Sequence, residues 1–320
     1  MKSCAKILTL TTVIITVAVL LSNCDNKKKH RIEQGNSGTV NVYCDEAYFF
    51  VMDSVFKMYQ ARNKNVELTV NFVNARNAKS QLLGGQTQVA ILGRDNLADE
   101  DSLMQLYNVE PHLRMDIAND GLVFFTQADF PIDTLNDAVL LQVFTENKNL
   151  KNLLPNLNSE PEFVIANQNS SEYGNFINLV CQRKSPTKQI TLLPNSDSVI
   201  KYVQNNPNAI GICYLSQVQG QFFKLLRIGY TDATGNYVRA TKVPHQSFIV
   251  MDEYPYITTL RLYLLENRTD LIYTPFWFGT FVEKDTEIVR FYQQKRLVPT
   301  FATFTLEDER RPTIRDVIRE

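Results

Sequence analysis

The sequence predicts an α/β protein with two lobes, each built on a mostly parallel sheet flanked by helices. Three observations lead to this prediction. Strand and helix patterns alternate at the start of the chain, as is typical of a parallel sheet with crossover helices. A long extended stretch at 112–126 could then pass from one lobe to another, after which the alternation resumes. At 320 residues, the chain is also too long for one small domain.

The first lobe begins with three strand–helix units. Apolar side chains alternate or run together in the strands, and they recur with helical periodicity between them. Strands are predicted at 39–43, 66–73 and 89–92. Helices are predicted at 50–59, at 78–83 and from residue 98 onward. Gly84 and Gly85 follow the second helix, where glycine commonly ends a helix.

The second lobe repeats the alternation, and the chain then returns to the first lobe. In the second lobe we expect helices at 135–144, 173–181 and 196–204. We expect strands there at 162–166, 190–193 and 209–214. The returning segment should form a strand at 261–265 and helices at 275–281 and 287–295.

Composition favours a folded body that does not bind nucleic acid. Hydrophobic residues make up 44% of the chain and charged residues 21%, which supports a large core. The net charge is -1, whereas binding to a phosphate backbone needs a basic surface. Neither a CxxC motif nor a Cys/His cluster occurs, so no zinc site and no cofactor are predicted. Cys44, Cys181 and Cys213 are an odd set, so we expect at least one free buried thiol, with a Cys181–Cys213 disulfide left open.

The N-terminus predicts export and a lipid anchor. A short basic start precedes an apolar run at 7–21, which is shorter than the roughly 20 residues that span a membrane. Leu21-Ser22-Asn23-Cys24 resembles a bacterial lipobox, in which the cysteine is acylated, although Asn23 replaces the usual small residue. An uncleaved N-terminal anchor is the alternative. Either arrangement places the body in the cell envelope, in the periplasm or at the surface.

These observations divide the chain into five parts. They are a signal peptide at 1–23, a lipidated tether at 24–37, lobe 1 at 38–118 plus 246–305, lobe 2 at 119–245, and a C-terminal tail at 306–320.

Several short motifs occur in a fixed order between residues 38 and 300. They are LLGGQTQVAI (82–91), ANDGL (118–122), PID (131–133), NSSEY (169–173), NAIG (208–211), YP (254–255) and LVP (297–299). In this order they resemble the phosphate-binding protein (PstS) family, periplasmic receptors with the type II periplasmic-binding-protein fold. The resemblance implies an oxyanion in a cleft between two lobes.

The same resemblance implies four binding loops. Helix N-termini, hydroxyl groups and a buried arginine are the groups that bind an oxyanion. An aspartate in such a site can accept the proton that phosphate carries. The candidate ligand-binding residues are Glu46 and Ala47, Asn74 and Arg76, Arg94 and Asp95, and Ser170 and Ser171.

Two loops depart from the family pattern. Glu172-Tyr173-Gly174 stands where the family has Gly-Thr-Arg, so the arginine is missing and an acid is present. The first loop is also acidic, and carboxylates in a cleft repel an anion unless they turn outward. We therefore expect Arg94 to carry most of the charge compensation. Two alternatives stay open: Arg94 and Asp95 could form a surface pair, and Ser170 could serve as a helix cap.

The predicted function is capture of phosphate or a similar small oxyanion for an ABC importer, by a lipid-anchored protein that is not an enzyme. No catalytic motif such as GxSxG, HExxH or a P-loop is present. The alternative is a binding-protein fold whose pocket has decayed, acting as an interaction or assembly partner of a cell-envelope complex. The acidic fourth loop favours this alternative.

Cys24 should carry the lipid. In cells given a fatty-acid analogue, the wild-type chain should be labelled and Cys24→Ala should not, because the acyl group needs the cysteine thiol. Cys4→Ala, which changes the only other cysteine of the leader, is the control and should keep the label. Equal labelling of wild type and Cys24→Ala would contradict the lipid anchor.

Overall fold

The computed structural model describes residues 37–220, 222–270 and 272–301. The predicted signal peptide, Cys24, nearly all of the tether and the tail at 306–320 lie outside the described residues. In the part of the chain that the structure describes, no helix is both long enough and apolar enough to cross a membrane.

Lobe 1 starts with the strand–helix units that the sequence predicted. Its parallel strands are β1, β2 and β3, with β1 in the middle. Each strand is followed by helix, as parallel pairing requires. The elements are β1 (Gly38–Asp45), a 3₁₀ turn (Glu46–Tyr48), α1 (Phe49–Arg62), β2 (Val66–Val73), α2 (Ala75–Leu83), β3 (Val89–Leu92) and α3 (Ala98–Leu106).

A single long strand, β4 (Leu113–Gln127), passes from lobe 1 to lobe 2. This strand confirms the extended crossing that the sequence predicted. Residues 122–125 in its second half are completely buried, because elements cover both faces of the sheet there. The strand therefore joins two sheets through one continuous backbone.

Lobe 2 has its own parallel strands, with β6 between β7 and β8. β8 also pairs antiparallel with the second half of β4. The elements are β5 (Thr134–Asn136), α4 (Asp137–Thr145), α5 (Leu150–Leu153), β6 (Glu162–Ala166), α6 (Ser171–Asn175) with a π-helical turn (Phe176–Val180), β7 (Thr191–Leu193), α7 (Ser196–Asn205), β8 (Ala209–Tyr214), α8 (Leu215–Val218), β9 (Phe223–Leu225), β10 (Arg227–Thr231) and β11 (Tyr237–Val238).

The chain then returns to lobe 1. The returning elements are α9 (Gln246–Val250), β12 (Ile257–Leu264), α10 (Thr274–Lys284), α11 (Thr286–Gln294) and β13 (Val298–Pro299). β12 lies antiparallel between β3 and β4 and completes the lobe 1 sheet. β4 pairs with β12 up to Gly121 and with β8 from Leu122 onward. The lobe limits given above stay a prediction.

One local expectation was wrong, and one small sheet was missed. The helix predicted from Leu135 begins at Asp137, because Leu135 lies in β5 and the Asn136 side chain caps the helix by accepting from two backbone N–H groups. The three-stranded sheet of β5, β10 and β11 was not predicted. Its strands have two to five residues, too few for a periodic pattern to show.

The three described cysteines are buried free thiols. The Cys181–Cys213 disulfide that the sequence left open is therefore not formed. Burial raises the pKa of the Cys181 thiol to about 12, so this side chain behaves as a small core residue rather than a nucleophile.

Candidate functional site

A cavity of about 390 Å³ lies between the two lobes; we call it the cleft cavity. The loops after β1, β6 and β8 contribute to its wall, together with the start of α7. These loops follow the carboxyl ends of strands, which is where open α/β sheets bind ligands. The fold therefore places loops from both lobes around one space.

The side chains of the cleft cavity are acidic, neutral polar or apolar. No lysine, arginine or histidine of the described residues lines it. Its carboxylates are Glu46, Glu172 and Asp197. Its neutral polar side chains are Ser170, Asn195, Ser196, Ser216 and Gln217, and its aromatic side chains are Phe49 and Phe50.

Two further carboxylates are buried behind the cleft cavity, each holding backbone N–H groups. Asp45 accepts from the N–H groups of Ala47 and Gly93, both at 3.1 Å. Asp120 accepts from the backbone N–H of Ser216 at 3.2 Å and from its hydroxyl. Burial raises the pKa of Asp45, and it raises the pKa of Asp120 to about 7. Donors that an external anion could use are thus already bound to the chain's own carboxylates.

Glu172 is the buried carboxyl that reaches the cleft cavity itself. Its side chain is 1% exposed, although the residue lines the cavity. Oε1 accepts from the hydroxyl of Ser196, whereas Oε2 has no hydrogen-bond partner among the described residues. Burial, and next the charge of Asp45, raise the pKa of Glu172 to about 7. This carboxyl can therefore hold or release a proton at neutral pH.

The two lobes meet at Gly93, directly after β3; we call this contact the Gly93 junction. The carbonyl of Gly93 accepts from Asn175 Nδ2 at 2.7 Å and from the Tyr214 hydroxyl at 3.1 Å, both on lobe 2. The rings of Tyr48 and Tyr214 pack beside it with centroids 5.0 Å apart. A Cβ atom on Gly93 would lie 2.4 Å from the Tyr48 ring and 3.1 Å from Ser171 Oγ. Only glycine leaves room for this approach of the lobes.

Arg94 does not line the cleft cavity. Its guanidinium is 1% exposed and makes two hydrogen bonds to the Glu100 carboxylate, at 2.7 and 2.6 Å. Its aliphatic stem packs on Gly174, where a Cβ atom would lie 2.3 Å from Arg94 Cδ. The charge of Arg94 is therefore balanced within the chain, and the space beside Gly174 is filled. This geometry does not support the charge compensation that we expected from Arg94.

The other predicted residues of the second and third loops, Asn74, Arg76 and Asp95, form contacts at or near the surface. The Asn74 side chain caps α2 by accepting from Asn77 N at 2.9 Å. Arg76 pairs with Asp99 at the surface. Asp95 is exposed and pairs with Arg261 of β12, so its partner differs from that of the Arg94–Asp95 surface pair that the sequence left open.

The predicted residues of the first and fourth loops lie at the cleft. Glu46, Ala47 and Ser170 line the cleft cavity, whereas Ser171 is fully buried beside the Gly93 junction. Ser170 also caps α6, with its Oγ accepting from Tyr173 N at 3.1 Å. The helix-cap alternative is thus part of its role.

Sequence reasoning missed Ser196, Ser216 and Gln217. A signal existed for Ser196, which the sequence placed at the start of a predicted helix. For the other two, the four-residue helix α8 gives no periodic pattern. No group of three or more histidine, cysteine, aspartate or glutamate side chains in the described residues could hold a metal ion.

Comparison with known proteins decides the family. The model of the PBP superfamily domain matches residues 30–309, most of the chain. The chain belongs to the PBP superfamily. This membership confirms the PstS-like type II binding-protein fold and agrees with a binding protein rather than an enzyme. No curated protein matches the sequence significantly.

Solved structures of phosphate-transport proteins share the fold at low sequence identity. An ABC-type phosphate transport receptor from Vibrio cholerae is similar with a TM-score of 0.64 and 13% identity, covering 82% of this chain and 99% of that one. A Clostridium perfringens protein assigned to phosphate ABC transport, solved with bound phosphate, has a TM-score of 0.62 and 17% identity, covering 82% of this chain and 100% of that one. PstS from Borrelia burgdorferi has a TM-score of 0.54 and 14% identity, covering 82% of this chain and 99% of that one. At these identities the likeness shows the fold.

The Gly93 junction should not tolerate a methyl group. We expect Gly93→Ala to lower the free energy of unfolding by about 1–3 kcal/mol, since the Tyr48 ring must move. Denaturant unfolding measures the loss. Gly84→Ala is the control, because its Cβ would come no closer than 3.3 Å to another atom, the Ser80 carbonyl. Equal losses for the two variants would show that the junction is not tightly packed.

Stability should depend on pH through the buried carboxyls. The folded-state pKa of Glu172 and of Asp120 is about 7, above the unfolded values near 4. The folded state therefore holds extra protons between pH 4 and 7, and stability falls as pH rises through that range. Each carboxyl contributes up to about 1.4 kcal/mol per pH unit. Glu172→Gln should make the slope of unfolding free energy against pH shallower.

The control for this measurement is Glu67→Gln, which changes an exposed carboxyl on β2. Denaturant unfolding at several pH values between 4.5 and 8 gives the slopes. A slope in Glu172→Gln as steep as in Glu67→Gln and wild type would contradict the assignment of a titrating carboxyl to Glu172.

Proposed function

We propose that this protein is a lipid-anchored, extracytoplasmic solute-binding protein that captures a small oxyanion, phosphate first, and delivers it to an ABC importer. The observation that carries the proposal is the cleft cavity, which lies between the lobes of a periplasmic-binding-protein fold. Its wall holds the hydroxyls of Ser170, Ser196 and Ser216. The Ser196 and Ser216 hydroxyls donate to Glu172 and Asp120, so they can turn to an oxyanion oxygen when these carboxyls hold a proton. The phosphate-transport proteins of the same fold support the choice of solute.

The acidic wall sets a condition on this binding. An ionised Glu172 in the cleft cavity would repel an oxyanion, whereas a protonated Glu172 would donate a hydrogen bond to it. The pKa of about 7 makes the protonated form available at neutral pH. Oxyanion binding is therefore coupled to uptake of one proton by Glu172.

The location is proposed with the function. The leader and Cys24 predict export and acylation, and solute-binding proteins act outside the membrane that holds their importer. An acyl chain on Cys24 would keep the body near the permease without a spanning helix. The partners are thus a small oxyanion, an ABC permease and the membrane through the lipid.

A second candidate function is favoured by the occupied donors of the cleft. Asp45 and Asp120 hold backbone N–H groups, and the Gly93 junction joins the lobes through the chain's own groups. Under this proposal the pocket binds no solute, and the body serves as a partner of a cell-envelope complex. The two candidates differ in whether any small anion stabilises the protein.

The test is thermal unfolding with a panel of phosphate, phosphonates, sulfate, molybdate and carboxylates. At a hundred times its dissociation constant, a bound ligand should raise the melting temperature by roughly 5–10 °C.

A second test measures sulfate binding at several pH values. Sulfate separates the titration of Glu172 from the titration of the ligand, because sulfate, unlike phosphate, keeps its charge near neutral pH. The dissociation constant for sulfate should rise about tenfold per pH unit above pH 7, because Glu172 loses its proton there.

Glu172→Gln is the matched variant for this test. Its amide N–H can donate at every pH, so its dissociation constant should stay constant where that of wild type rises. A melting temperature that no ligand changes would contradict solute binding and favour the envelope partner. Binding that tightens with rising pH would contradict the proton coupling alone.

A further inference from the structure

A second cavity, of about 330 Å³, shares no lining residue with the cleft cavity. We call it the Lys79 cavity. Lys79 of α2 and the residues just before and within the start of β4, His112 and Arg114, line it. Arg183 of lobe 2 also reaches its wall. Basic side chains from three parts of the chain thus face one space.

The Lys79 side chain is almost fully buried, and its ammonium group faces the cavity without an ion-pair partner. The residue is 1% exposed, Glu100 and Asp101 act on it through their charges, and it makes no hydrogen bond or ion pair with any described residue. Its Nζ lies over the ring of Tyr263, 5.1 Å from the centroid, which compensates only part of the desolvation of an ammonium. Buried charges are normally paired, because an unpaired one is costly. Lys79 is therefore a charge that lacks its partner.

Two neighbouring side chains of the Lys79 cavity can supply further donors, the half-buried His112 and the exposed Arg114. Nδ1 of the half-buried His112 has no hydrogen-bond partner among the described residues. Arg114 forms no ion pair within the described ranges. With a proton on Nδ1, the imidazole can donate even when neutral. Three nitrogen groups can thus turn toward an acceptor in the cavity.

Two acids, Asp95 and Asp101, also line the Lys79 cavity, and both are held by other cations. Asp101 pairs with Arg183 at 2.6 Å and accepts from Asn96 Nδ2 at 3.0 Å. Asp95 shares Arg261 with Asp116. Glu100, the remaining acid that acts on Lys79, is held by the Arg94 guanidinium. Lys79 and Arg114 keep a positive charge that these acids do not balance.

We propose that the Lys79 cavity binds a small oxyanion, with the Lys79 ammonium as its charge partner and His112 and Arg114 as further donors. The volume holds a sulfate, a phosphate or a small carboxylate with some water. Each anion presents several acceptor oxygens, which match the separate nitrogen groups. The site is independent of the proposed function of the cleft, because the two cavities share no residue.

The test follows the His112 ring in the full chain by NMR of histidine-labelled protein during titration with sulfate. The chain has three histidines, so His112→Gln assigns the signal. The wild-type signal should shift with saturation. Lys79→Met should weaken the apparent affinity by about tenfold or more, the effect expected for a charge-assisted hydrogen bond. Acetate and phosphate titrations then show which oxyanion the site prefers.

Two variants keep the test decisive. Lys64→Met removes an exposed lysine and should leave the sulfate affinity at His112 unchanged. Arg114→Gln removes an exposed donor at the rim and should weaken binding without affecting the core. Lys79→Met should also melt higher than wild type in the absence of anions, since it removes an unpaired buried charge. A His112 signal that sulfate does not shift, or shifts equally in wild type and Lys79→Met, would overturn the proposal.

Discussion

The carbonyl of Gly93 receives hydrogen bonds from Asn175 and Tyr214 of the opposite lobe, and the rest of the cleft is arranged around this contact. Because residue 93 has no side chain, the rings of Tyr48 and Tyr214 can close beside its backbone. The N–H of the same residue is held by Asp45. One residue therefore connects the end of β3 to both lobes.

Carboxyl groups are buried close to this contact between the lobes. Glu172 and Asp120 are both at most 1% exposed, and burial is the largest cause of their raised pKa values. A buried carboxyl avoids the cost of a buried charge by holding a proton. The packing of the cleft therefore affects which form of the carboxyl is present to meet a ligand. A protonated carboxyl in a wall of hydroxyls is a donor, whereas the ionised form excludes anions.

The two cavities differ in charge for a structural reason. In the cleft cavity, the guanidinium of Arg94 is turned away and bound to Glu100, so only acids and neutral groups face the ligand space. In the Lys79 cavity, the acids are bound to arginines and the ammonium of Lys79 has no such partner. The pairing within the chain, rather than its net charge of -1, thus decides where an anion can bind.

The sequence by itself determined the fold class and much of the element order. Strands such as β3 and β8 are continuous apolar runs, and the motif at 118–122 lies in the crossing strand β4, so local patterns were sufficient to find them. The resemblance to the PstS family implied Glu46, Ala47 and Ser170 as cleft residues, and they line the cleft cavity because loops after parallel strands meet at one edge. Short elements such as β11 and α8 gave no periodicity and were missed.

Only the tertiary structure decided what each charged group does. Arg94 and Asp95 are adjacent in sequence, yet one is buried against Glu100 and the other pairs at the surface with Arg261, 166 positions away. The unpaired ammonium of Lys79 is equally invisible in the sequence, where it is one helical lysine among others. The pairing and protonation of a charge depend on burial and on partners distant in the chain, and these are set when the lobes close.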